Sequence, residues 1–211
     1  MPLTTAKDSA FAGGLSMVIT PTVRGLLGLD VDVPSRRVTL APHLPPGWGT
    51  VRVSNVPLGS ATATITLTQA AGRVSAVVER TSADAPFEGV FSPALPIGAT
   101  ARGAGITMAV TPGDAHATVA GRLESRLELA VTHAGGWWIE MPAPDVPVGG
   151  RSRTPRLVSE RLVSGAYEAT LQGLAGTRAT LPLHQADGTV RAITVAFPET
   201  GADADGFTVA V

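Results

Sequence analysis

The chain has 211 residues, 44% of them hydrophobic, enough to bury a core in one large β domain or two small ones. Its net charge of -1, with 16% charged residues and no basic run, offers no electrostatic footprint for nucleic acid or an anionic membrane surface. It contains no cysteine, which excludes disulfides, thiolate nucleophiles and cysteine-ligated zinc or iron–sulfur sites.

The first segment is amphipathic. Phe11, Leu15, Val18 and Ile19 recur at i, i+4, i+7 and i+8, one face of a helix, and Val23, Leu26 and Leu27 carry the apolar surface past Pro21. A proline there predicts a short helix, a break and a second turn ending at Gly28. The uncharged run from Ser9 to Val23 spans roughly 15 residues, short of the ~20 that cross a bilayer, and Gly13, Gly14 and Pro21 interrupt it, so no membrane helix is expected. Asp8 before the run and a lone Lys7 do not make a secretory signal, and the compartment stays open between cytoplasm and periplasm.

From Arg36 the texture becomes that of strands. "RRVTLAPHLP", "GTVRVSNVPLG", "ATATITLTQA" and "RVSAVVERT" are Val/Thr/Ile-rich runs closed by Pro or Gly. Ile65 and Leu67 are expected to face inward, with Thr64, Thr66 and Thr68 outward. The second half continues with "AHATVAG", "SRLELAVTHAGGWWIEMP", "GAYEATLQGL", "TRATLPLH", "GTVRAITVAFPE" and "GFTVAV". Leu127, Leu129 and Val131 alternate inward, and Ala134-Gly135-Gly136 reads as a hairpin loop into Trp137–Met141. Prolines 142, 144, 147 and 155 predict a long surface loop between them and the next strand. The fold class is therefore mainly β: an antiparallel β-sandwich of about ten or more strands, in one or two stacked sub-domains, after a short helical segment. Residues 1–30 read as the helical junction and 31–211 as the β region, with a weak subdivision near 82–104.

Chemistry-bearing motifs are sparse. Glycoside hydrolysis needs two carboxylates across the scissile bond, whereas the acids here are scattered along loop edges and the wet sides of strands. His43, His116, His133 and His184 lie far apart, and a His-based metal site would have to be assembled from separate strands, so no metal or cofactor is assigned. His43 in "LAPHLPPGW" reads as a loop residue packing or hydrogen bonding locally. There is no G-x-S-x-G elbow and no phosphate-binding loop, Lys7 being the only lysine. "GADADG" has an Asp-x-Asp-Gly pattern able to hold calcium, but a solvated turn before the last strand explains it better. Aromatics gather only in "GGWWIEMP". Trp137 and Trp138 must point to opposite faces of a strand, so at most one is core, and the other, beside Tyr167 or Trp48, could stack on a sugar ring or make an interdomain contact.

The run "SMVITPTVRGLLGLDVDVPSRRVTLAPHLPPGWGTVRVSNVPLGSATATITLTQ" resembles a junction in bacterial glycoside hydrolases of the amylo-α-1,6-glucosidase, or glycogen-debranching-like, group. There the catalytic (α/α)6 barrel ends in a helix followed by "RGLLGL", then "R-x-L-x-P-x-L-P-x-x-W", then a strand ending "N-x-x-x-G". The matching positions are Arg24–Leu29, Arg37–Trp48 and Asn55–Gly59. "FSPALPIGA" and "VAFPE" are compatible with the C-terminal β-sandwich of such enzymes. The resemblance implies an accessory β-sandwich whose partner is an upstream barrel. The group's catalytic carboxylates lie on barrel loops, so no catalytic residue carries over, and Arg24, Pro42, Pro45 and Trp48 become packing and loop-shaping residues. A stand-alone polysaccharide-binding module using Trp48, Trp137, Trp138 and Tyr167 is the alternative. An enzyme built from scattered acids on the 142–156 loop is a third reading, and whether the chain has an activity of its own stays open.

Overall fold

The computed structural model describes residues 19–45, 47–82, 85–143, 146, 150–203 and 205–210. The chain is mainly β, a set of largely antiparallel sheets entered through a short helical segment. Among the described residues the strands are β1 (Leu29–Asp32), β2 (Arg37–Leu40), β3 (Thr50–Leu58), β4 (Ala61–Ala70), β5 (Arg73–Arg80), β6 (Phe87–Phe91), β7 (Thr100–Ala101) and β8 (Thr107–Thr111). They continue with β9 (Asp114–Leu123), β10 (Arg126–Ala134), β11 (Trp138–Ile139), β12 (Arg156–Val163), β13 (Ala166–Leu174), β14 (Arg178–His184), β15 (Val190–Ala196) and β16 (Phe207–Ala210). Contacts divide the chain into two compact units. The first comprises Met1–Ala94, Arg102–Thr107 and His116–Thr132, the second Leu95–Ala101, Met108–Ala115 and His133–Val211.

The first unit is a two-sheet sandwich. One sheet has the order β1-β2-β6-β9, the other β3-β4-β5-β10. All these pairings are antiparallel except β2 with β6, which run parallel because β3 to β5 intervene in the opposite sheet. Alternation places the core as the sequence suggested: Ile65 and Leu67 of β4 are 1% and 0% exposed and Val131 of β10 is fully buried, while Leu127 and Leu129 are half-buried. Val38, Val90 and Leu123 from one sheet meet Ala76, Val78 and Leu127 from the other around a void of only about 10 Å³. Gly89 and Gly121 stand opposite each other in the β6–β9 register and leave a flat spot that Leu127 fills. A Cβ at Gly89 would come within 2.3 Å of the Leu127 Cδ2.

The helical entry differs from expectation at Pro21. Among the described residues helical geometry covers Ile19 and Thr20 and runs through the proline as a six-residue π-type turn, Pro21–Leu26, closed by the Leu27 N–H on the Thr22 carbonyl at 3.0 Å. Pro21 occupies the first position of the π-type turn. The expected helical face over Phe11–Val18 lies outside the described residues. No side chain of Pro21–Leu26 is buried and Ile19 is 53% exposed, whereas Leu27 and Leu29 join the core.

The second unit holds two three-stranded sheets, β11-β14-β15 and β12-β13-β16. Their shared core is Ile139, Leu171, Leu181 and Phe197. Gly173 is needed there, since a Cβ would enter the Phe197 ring at 2.5 Å. The expected hairpin across Gly135-Gly136 does not form. Both glycines have positive φ and do turn the chain, but the end of β10 pairs with β7, Trp137 bridges to Ile97, and β11 pairs with β14. Gly136 is wedged against Pro96, where a Cβ would lie 2.6 Å from the proline Cβ, and this contact diverts the strand.

Candidate functional site

The aromatic residues singled out in the sequence fall into two ring stacks within the second unit, and Trp48 lies in the first. Trp138 on β11 stands directly opposite His184 on β14, and the rings stack at 3.7 Å between centroids and 11° between planes. His184 Nε2 lies 3.2 Å from Glu140 Oε2, and the Glu140 N–H donates to the Pro182 carbonyl at 2.9 Å. Trp138, His184 and Glu140 thus gather where β11 meets β14. Trp137 faces the other way, as a strand requires. It is half-buried, its N–H donates to the Ile97 carbonyl, and its ring stacks on Tyr167 at 6.1 Å and 15°.

Tyr167 on β13 is half-buried and donates its phenol proton to Glu160 Oε2 at 2.5 Å. Burial first, then that hydrogen bond and the charge of Glu160, raise its ionisation above the ordinary value of 10.0. The folded state therefore holds the proton more tightly than the unfolded chain. The resulting stability is complete below the unfolded-state value near 10.0 and is lost progressively as pH rises beyond it. Urea unfolding is expected to show stability falling between about pH 9 and pH 11 in the natural chain, with a shallower fall in Tyr167→Phe. Equal slopes would contradict this assignment.

Beside Tyr167 the two sheets of the second unit leave a cleft of about 380 Å³, lined by Ile139, Ala169, Leu171, Leu183, Ile193 and Val195. Tyr167 and Thr194 add hydroxyl groups to this lining, which contains no carboxylate. Elsewhere the acids take part in exposed ion pairs, such as Arg37–Glu88, Arg126–Glu79 and Arg161–Glu168. In "GADADG", Asp203 Oδ1 accepts the N–H groups of Asp205 and Phe207, Oδ2 accepts from Gln172, and Asp205 pairs with Arg151. These oxygens shape a turn in front of β16, in keeping with the solvated-turn reading. Trp48 stands in the loop between β2 and β3, 46% exposed.

His43 is where sequence reading saw least. Its ring lies edge-on to His116, which β9 carries, with centroids 4.9 Å apart. Nothing in the sequence joins position 43 to position 116. The nearby signal that could have been used is Asp114-x-His116, the two-residue spacing that puts both side chains on one face of a strand. Compared with known proteins, the chain matches no family model, no curated protein and no solved structure.

Proposed function

We propose that the chain serves as the accessory β-sandwich region of a glycoside hydrolase acting on α-glucan, of the amylo-α-1,6-glucosidase-like kind, supporting a catalytic (α/α)6 barrel. The observation that carries this is the build of the segment matching the family junction. "RGLLGL" closes the helical turn Pro21–Leu26 and leads into β1, and this passage is bonded to the exit of β2: the Ala41 N–H donates to the Gly28 carbonyl at 3.0 Å and the His43 N–H to the Leu26 carbonyl at 2.9 Å. The apolar Ile19, Val23 and Leu26 on that turn are exposed or half-buried. A helix end anchored this firmly, with its apolar side chains uncovered, suits an element that continues onto a helical partner. The stacking of Trp138 on His184 and of Trp137 on Tyr167 also favours this reading over a sugar platform, because each indole gives one face to a ring of the protein.

The test supplies the chain in trans to the (α/α)6 barrel of a debranching-like hydrolase expressed without its β region, and measures glucose release from glycogen limit dextrin. Addition of the chain is expected to raise turnover, and Ile19→Asp to abolish the rise while leaving the circular dichroism unchanged. No stimulation would remove the proposal. The binding-module alternative rests on the exposure of Trp48. It gains if the chain alone is retarded in glycogen or pullulan gels and Trp48→Ala or Trp138→Ala removes the retardation.

A further inference from the structure

The first unit brings two imidazoles together on a rigid base. His43 follows Pro42 at the exit of β2, and Pro42 and Pro93 are both fully buried. The Ala94 N–H donates to the Pro42 carbonyl at 3.0 Å, and Ala94 forms an isolated β-bridge with His116. The two histidine rings stand edge to face at 66°, and each has a nitrogen within 4.8 Å of one on the other. His116 Nδ1 lies 2.6 Å from the Ser92 carbonyl oxygen. A carbonyl only accepts, so that nitrogen carries the proton, and the ring's ligating atom is Nε2. A ring N–H held by a backbone carbonyl is the outer-shell arrangement that fixes tautomer and orientation in metal-binding histidines.

We propose that His43 and His116, both in the first unit, bind one divalent transition-metal ion, zinc, cobalt or nickel. Imidazole nitrogens select these ions over magnesium or calcium, and two histidines leave the remaining coordination positions for water. The ion fastens the segment leaving β2 to β9, the place where no sequence periodicity links them.

The experiment uses the tag-free chain, stripped with a chelator and titrated with Co²⁺ by visible absorption and with Zn²⁺ by equilibrium dialysis. One equivalent is expected, with ligand-field bands for cobalt. Loss of outer-shell partners alone weakens metal sites by about 10–100-fold, so His43→Ala and His116→Gln should each cost at least about tenfold in affinity. His184→Ala, whose ring stacks on Trp138, should cost nothing. His43 is exposed, so its alanine variant keeps the fold and provides the clean measurement. Failure to bind one equivalent, or unchanged affinity in His43→Ala, overturns the site.

Discussion

Gly28→Ala is expected to destabilise the first unit by about 3 kcal/mol or more, seen as a lower urea midpoint with an unchanged slope. Gly28 has φ +54°, a left-handed conformation that costs an L-residue about 1–2 kcal/mol. Space makes the change worse, because a Cβ there would sit 2.1 Å from the Ala41 carbonyl oxygen and 2.4 Å from its carbon. Those are backbone atoms of the segment that Gly28 itself binds through the Ala41 N–H, so neither side can yield without parting the end of β1 from β2. A neighbouring glycine provides the control. Gly25, in the same turn, has nothing within 4 Å of its Cβ position and a negative φ, so Gly25→Ala should be neutral or stabilising. If both alanine variants behaved alike, the turn would not be held as described.

Phe91→Ala is expected to cost about 3–5 kcal/mol, a large part of the 5–15 kcal/mol that holds a typical domain folded. Phe91 is 0% exposed and is the largest fully buried side chain among the described residues. It ends β6 between Leu40 of β2 and Val119 of β9, and its neighbour Ser92 donates its N–H to the Leu40 carbonyl at 2.7 Å. Paired on both sides, β6 itself cannot shift into the space the ring leaves. The full cavity term should therefore appear, whereas Phe91→Leu, which keeps most of the volume, should cost under about 1.5 kcal/mol. A loss below about 1 kcal/mol for the alanine variant would mean that the site collapses and that Phe91 is not the keystone of this sheet.

Much of the fold was legible because strand formation is local. In "ATATITLTQA" the alternation of small and apolar residues with threonine predicted both the strand and its buried face, and β4 covers all ten residues. The strands flanked by weaker patterns escaped notice. "LDVD" became β1 and "FEGVF" became β6, short segments that form strands by pairing with β2 from either side. The hairpin expected at Gly135-Gly136 failed for a related reason. Its glycines signal a turn, but Pro96 and Ile97, some forty residues upstream, decide where the turn leads. Among the candidate site residues, Trp137 and Trp138 were rightly set on opposite faces, while their partners Tyr167 and His184 come from other strands.

By itself the sequence determined the class of the protein, the positions of most strands, the faces they bury and the demand for glycine at turns. Each depends on periodicity or on backbone sterics within a few residues. Only the tertiary structure decided which sheet each strand joins, that β2 and β6 run parallel, and that His43 meets His116. Those outcomes depend on pairings between segments tens of residues apart, where the same alternating pattern would serve many partners equally well.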